Sequence, residues 1–486
     1  MKRRNRFLAV LFLSGALVLG GCGLGNTGSV STEVVGTDSE TPKEDGNGQE
    51  SAEGKSVEAK ENLSTGSVAS SSDTLLDTSN MFSDRDLEQE ADLEDAQYIT
   101  LESGSNVSIT SEGVYVIKGS ADGSTIIVEA DDTAKVQLVL DGVTITNSDA
   151  PAIYVKSADK VFVTISSDST LTVSGAFTAD GDTNTDAVIF SKEDLVFNGT
   201  GTLTISSSEN AISGKDDVKF TGGTYNITSE ADAIEANDSV RISDGSFTIK
   251  SGKDGIHSED SEDTSVGFVY ISGGNISIDA SGDGIQATTV LQIDGGTIDI
   301  NASEGLEATY VQVNDGDISI KASDDGINAS DKSSSYNVVI EINGGNIDIE
   351  MASGDTDALD ANGDLYVNGG TINITAQFAF DFDGKAEFNG GTITVNGEEV
   401  TEITNSMNFG GGGMGSRGGK MQKGDFGGNG NQMPGGGDGS TPPELPEGFD
   451  ESNLPEMPEG FDGSNPPQMP DGQNGSGGNG GRKKGN

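Results

Sequence analysis

A single cysteine, a single histidine and no tryptophan occur in a chain of 486 residues. One cysteine excludes an internal disulfide framework, and with it the small cross-linked modules common among secreted chains. Aromatic residues make up 5%, which leaves few rings on which neutral sugars could stack. Basic residues are scarce too: 27 Lys and Arg stand against 80 Asp and Glu, a formal net charge of -53. That balance repels the phosphates of nucleic acids and makes cations the natural partners. Hydrophobic content is 32%, low for a globular domain, so the apolar residues must be concentrated in part of the chain. What the chain has in excess is glycine, 71 residues, much of it regularly spaced.

The N-terminus "MKRRNRFLAVLFLSGALVLGGC" is basic, then apolar from Phe7 to Leu19, then small up to Cys22. It looks like a bacterial lipoprotein signal, with "LGGC" similar to a lipobox, so residues 1–21 are expected to be removed and Cys22 to carry the lipid. The mature chain is then expected outside the cytoplasm, anchored to the outer face of the cytoplasmic membrane. No later apolar run is long enough to span a bilayer. Residues 22–95 are rich in Ser, Thr, Gly and acidic residues and read as a disordered acidic tether. Residues 96–404 carry β-branched residues alternating with polar ones and read as the folded part. Residues 405–486, Gly- and Pro-rich with "PEGFD" twice, read as a disordered tail.

The folded part repeats. The second glycine of a turn recurs at Gly223, Gly245, Gly274, Gly296, Gly316, Gly345, Gly370 and Gly391, with spacings near 21 or 22 residues wherever nothing is inserted. A period of that size without helical patterning predicts one coil of a β-solenoid per repeat, with three short strands each. Three aliphatic columns fall into register: Ile234, Ile256, Ile285, Leu306, Ile327 and Leu359; Ile242, Ile271, Ile293, Val313, Ile342 and Val367; Ile249, Ile278, Ile300, Ile320, Ile349 and Ile374. Parallel stacking at about 4.8 Å would turn each column into a ladder filling a narrow core, with three parallel sheets around it. An antiparallel sandwich of hairpins shares the Gly-Gly and Asp-Gly turns, but hairpins give no reason for the same letters to recur at one period. The aromatic run "QFAFDFDG", with Phe378, Phe380 and Phe382, interrupts the pattern and is expected to cap the C-terminal end of the core.

An acidic column accompanies the aliphatic ones. Asp186, Asn210, Asp232, Asp254, Asp283, Glu304, Asp325 and Asp357 hold one position of successive repeats, and Glu235, His257, Gln286, Glu307, Asn328 and Asp360 stand three residues further on. Stacked carboxylates about 5 Å apart repel by roughly 1 kcal/mol in water-like surroundings and about 3 kcal/mol at an effective dielectric of 20. Two readings fit. Asp and Asn are good turn residues whose side chains accept backbone N–H groups. Oxygen-rich clusters without Cys are also what Ca²⁺ prefers, and this reading accounts for Glu304 and for the second acidic position. The candidate Ca²⁺ ligands are Asp232 with Glu235 and Asp254, Asp283, Glu304 with Glu307 and Asp325, and Asp357 with Asp360. Two insertions, 257–268 and 328–339, enlarge one corner, and two readings fit: they wall a shallow groove beside this edge, or they are loop insertions tolerated without a role. His257 lacks a nucleophile partner in sequence and reads as a solvated surface residue.

At the repeated "DAI", "DGI" and "GGTI" phrases, including "EADAIEANDSVRISDGSFTIKSGKDGIHSED" and "ASDDGINAS", the sequence resembles the clostridial carbohydrate-binding lipoproteins. The likeness covers about residues 98–400 and extends to the leader. It implies a right-handed parallel β-helix similar to that of polysaccharide lyases, binding of cellulose and acidic sugar polymers, and Ca²⁺ held by acidic residues of the coils. The function expected is Ca²⁺-dependent, non-catalytic, extracellular binding of polysaccharide by a monomer, with polygalacturonate as the model ligand. A pectate lyase is the first alternative, with Arg241, Lys250, Lys253 and Lys321 as candidate bases. A cell-surface stalk is the second.

Overall fold

The computed structural model describes residues 75–405, position 355 excepted. The signal peptide, Cys22, residues 22–74 of the tether and the tail after Asn405 lie outside the described residues. Within them the chain is all-β with parallel sheets. Its strands run from Gln97 to Val400, preceded by one 3-10 turn, Thr78–Asn80, and no described helix is long and apolar enough to cross a membrane.

The pairing follows the repeat. Ile234–Ala236 pairs in parallel with Ile256–Ser258, which pairs with Ile285–Ala287, and the series continues through Leu306–Ala308, Ile327–Ala329, Asp357–Ala361 and Phe378–Phe382. In this register Ile234, Ile256, Ile285, Leu306, Ile327 and Leu359 stand in line. The columns from Ile242 to Val367 and from Ile249 to Ile374 are in line as well. All three belong to one continuous buried core. Like side chains stacked at the strand spacing mesh without voids, and this close packing selects the register.

The sequence predicts three sheets, whereas the structure has two, of 22 and 12 strands. The difference arises at the Gly-Gly corner. In Asp217–Ser229 and Ser239–Ser251 the strand passes this corner unbroken, with register shifts between Phe220 and Thr224, so the second and third ladders merge. In later repeats the turn Asp294-Gly295-Gly296 separates Val290–Ile293 from Thr297–Ala302. The corner requires glycine where repeats approach most closely. Gly391 has φ +87°, and a Cβ there would lie 2.6 Å from the carbonyl oxygen of Gly370.

Phe378–Phe382 is the last strand of the smaller sheet, and Phe380 extends the aliphatic column beyond Leu359. The larger sheet ends in an antiparallel hairpin, Thr392–Val395 with Glu398–Val400. Its turn is Asn396-Gly397, both at positive φ, as tight hairpin turns require. Folding the last strand back covers an edge that would otherwise template further pairing.

Residues 75–89, read from sequence as part of the tether, are instead held against the repeats. Leu76 and Met81 are buried with Tyr270 and Val290, and Asp86 is 0% exposed. The low aromatic content of this stretch misleads because its anchors are few and its partners on the repeats lie 74 to 237 residues away.

Candidate functional site

The acidic column lies where the chain turns into the short strands of the smaller sheet. Each Asp precedes a small residue and a buried aliphatic one, so its carboxylate is left on the outer side of the turn. Asn210 Oδ1 accepts the backbone N–H of Asp232 at 2.9 Å, Asp232 Oδ1 that of Asp254 at 3.0 Å, and Asp254 Oδ1 that of Asp283 at 2.8 Å. Asp325 Oδ1 accepts the N–H of Asp357 at 3.2 Å. Turn chemistry therefore employs one oxygen of each of these side chains. Between the two runs Glu304 behaves differently: its longer side chain accepts a hydrogen bond from Asn328 Nδ2 at 2.9 Å.

The second column is in register across its length. Glu235, His257, Gln286, Glu307, Asn328 and Asp360 face one another in turn, and Asp381 follows. The two columns meet in two clusters. In the first, Asp232, Asp254 and His257 offer ligand atoms within 4.8 Å of one another; in the second, Asp283, Glu304 and Glu307 do.

The first cluster places an imidazole among carboxylates. His257 Nδ1 lies 3.5 Å from Asp254 Oδ2 and its Nε2 3.2 Å from Glu259 Oε2. Burial favours the neutral ring, but the neighbouring carboxylates of Asp232, Asp254 and Glu259 outweigh it and raise the His257 pKa. His257 is thus half-buried among carboxylates, not the solvated residue expected.

The second cluster is dominated by carboxylates. Burial, followed by repulsion from Asp254, Glu304 and Glu307, pushes Asp283 up to about 8. Glu304 is pushed up to about 7, chiefly by burial and then, against the Asn328 hydrogen bond, by Glu307 and Asp325. Glu307 differs: burial raises it, yet hydrogen bonds from Lys332, Gln286 and Ser330 hold it below the usual range. Lys332 Nζ is 2.8 Å from Glu307 Oε2.

The remaining expected ligands have other partners. Glu235 accepts from Asn210 Nδ2 at 2.8 Å and pairs with Lys215 at 3.4 Å, so Asp232 is grouped with Asp254 and His257 instead. Asp325 is raised by burial but stands outside the Asp283 group, whose third member comes from the preceding repeat. Asp360, expected to act with Asp357, is pushed up to about 7 by burial and then by Asp325 and Asp381. The insertions are joined instead of standing apart as groove walls: Ser333 Oγ donates to the carbonyl of Thr264, and the N–H groups of Lys332 and Ser333 both reach Thr309 Oγ1. Asp381 could have been found by following the column one repeat further, and His257, already in the column, by reading it with its acidic neighbours. Lys332, on an insertion, has no register to follow.

The residues fit a hard divalent cation at the second cluster. Three carboxylates converge, the donor set is entirely oxygen, and Asn328, 8% exposed, has an Oδ1 with no hydrogen-bond partner. At the first cluster the imidazole of His257, its pKa raised by the carboxylates around it, stands where the second cluster has a third carboxylate.

A family model described as "Carbohydrate-binding domain-containing protein" matches residues 103–355 and 303–408. The chain belongs to this carbohydrate-binding domain family. The matched region holds all nine candidate ligands and the whole acidic edge. A clostridial relative from Acetivibrio thermocellus, itself described as a carbohydrate-binding domain-containing protein, is 35% identical over 121 residues, 24% of this chain. The chain spans 42% of that relative's length. A solved structure titled as a polysaccharide lyase-like protein from C. thermocellum, a gadolinium derivative, is 30% identical with a TM-score of 0.40 and covers 42% of this chain and 90% of its own. Among the candidate bases of a lyase, this carbohydrate-binding protein commits Arg241 to Asp217 through two hydrogen bonds of 2.8 and 2.7 Å, while Lys321 pairs with Glu350 at 3.4 Å.

Proposed function

We propose that this carbohydrate-binding protein is a non-catalytic, Ca²⁺-dependent binder of acidic polysaccharide, polygalacturonate being the model ligand. The reading rests on the convergence of Asp283, Glu304 and Glu307 within 4.8 Å, two of them with raised pKa values. Such a group favours a divalent ion, which, held by three carboxylates at an edge, retains positions for the carboxylates of a uronate chain. The stacked repeats are read as a right-handed parallel β-helix, since parallel connections within a sheet take that hand almost without exception. Cys22 is read as the lipid-bearing residue of a monomer anchored outside the cytoplasmic membrane.

The test is retention on immobilised polygalacturonate. Wild-type protein should be retained with Ca²⁺ and released by EDTA, and Asp283→Asn with Glu304→Gln should elute unretained in both. Wild-type retention that is the same with Ca²⁺ and with EDTA, or a variant that binds as wild type in Ca²⁺, refutes the bridging ion. Steady formation of an unsaturated uronate product would establish the lyase instead.

A further inference from the structure

Residues 75–89 run along the outer face of the larger sheet across several repeats. The Leu75 N–H points to Gln312 Oε1 at 3.4 Å and the Leu76 N–H to Gln292 Oε1 at 3.1 Å. Arg241 Nη1 donates to the Met81 carbonyl at 3.3 Å, Thr221 Oγ1 to that of Asp86, and Gln89 bonds the backbone at Thr221 and Gly199. The sheet thus grips this strap mainly by its main chain.

Beneath it, one column of outward side chains runs Phe162, Val196, Lys219, Arg241, Tyr270, Gln292 and Gln312 in register. Buried cations are conspicuous in a chain of this net charge. Lys219 is 6% exposed, and its Nζ lies 3.7 Å from Asp86 Oδ2; Lys160 Nζ lies 3.3 Å from Asp86 Oδ1. Without Asp86, the cations Lys160, Lys219 and Arg241 would keep Asp194 and Asp217 as their ion-pair partners among the described residues. Tyr270 and Tyr310 flank the glutamines, so the face combines a carboxylate-reading end with rings and amides, which suits a sugar polymer bearing carboxylates.

We propose that the sheet face under residues 75–89 is a second glycan-binding surface, specific for uronate-type carboxylates, and that the strap occupies it as an internal ligand with Asp86 in the carboxylate position. The proposal shares with the Ca²⁺-bridged reading only its ligand class. Binding here is direct and needs no metal.

The experiment therefore uses the full chain in EDTA, where the acidic edge is silent. Asp86→Ala with Leu76→Ser and Met81→Ser should release the strap, seen as faster amide exchange over 75–89, and tighten binding of oligogalacturonate at least tenfold over wild type by calorimetry. Adding Lys219→Gln should remove the gain. Release without a gain, or a gain that survives Lys219→Gln, overturns the proposal. In case the released variant does not fold, wild-type protein is examined as well: saturating oligogalacturonate should speed exchange over 75–89, and a neutral cello-oligosaccharide should not. Unchanged exchange, or equal effects of the two sugars, also overturns it. Retention on polygalacturonate that needs Ca²⁺ in the wild type would stand or fall separately.

Discussion

Asp283 and Glu304 carry the electrostatic cost of the acidic edge. Both prefer the protonated form in the folded chain, at about 8 and about 7, against about 4 when unfolded. A raised carboxylate pKa means the folded state binds more protons between those values. The contribution to stability is therefore fully present below about pH 4 and lost as pH rises through about 7 to 8. Metal-free protein should lose denaturant resistance across that window, and saturating Ca²⁺ should restore it at the upper end. Asp283→Asn should reverse the sign in EDTA: at pH 8.5 it removes repulsion and stabilises by about 1–3 kcal/mol, the size of a like-charge pair at this spacing. Urea titrations of both proteins at pH 5 and 8.5 read this directly, and a destabilised variant at pH 8.5 would show that the carboxylate is compensated from within the chain.

The site was legible in sequence wherever it obeys the register. Counting repeats finds Asp232, Asp254, Asp283, Glu304 and Glu307, because parallel stacking brings equal positions together. It does not find Lys332, whose position follows from how one insertion folds onto Thr309 and Thr264. Nor does it find Asp86, whose cationic partners lie 74 residues and more away. Strand connections explain the other miss: a Gly-Gly turn ends a strand in one repeat and only bends it in another, so the number of sheets cannot be read from the glycines.

The insertion 328–339 turns a plain corner into an element with an electrostatic role. It fixes Lys332 by its backbone and brings the ammonium to 2.8 Å from Glu307, where it supplies part of the charge a metal would otherwise supply. A divalent ion at Asp283, Glu304 and Glu307 has to compete with it. Lys332→Gln should thus tighten Ca²⁺ binding about tenfold, equivalent to roughly 1.4 kcal/mol. The same change should weaken the metal-free protein, since it leaves Glu307 without its strongest partner. Calorimetric Ca²⁺ titration gives the first effect and urea unfolding in EDTA the second. An affinity that falls would make Lys332 a support of the site, not a rival for it.

At the scale of the whole molecule, a stack of repeats couples each coil only to its neighbours, so protection should decay toward the ends. The strap changes this coupling. It joins the repeat of Gln312 to those of Thr221 and Gly199, and its buried Leu76 and Met81 are worth about 1.5–3 kcal/mol each. Opening any coil beneath it requires loss of those contacts. Amide exchange at Ile249, Ile271 and Ile293 should accordingly be slower than at Ile374 and Ile393 by tenfold to a hundredfold or more, although all five side chains are equally buried. Releasing the strap should bring the first three to the rate of the last two and leave the C-terminal coils unchanged. If exchange is even along the stack in both proteins, the strap lies on the sheet without coupling the coils beneath it, and nearest-neighbour stacking alone sets the order in which they open.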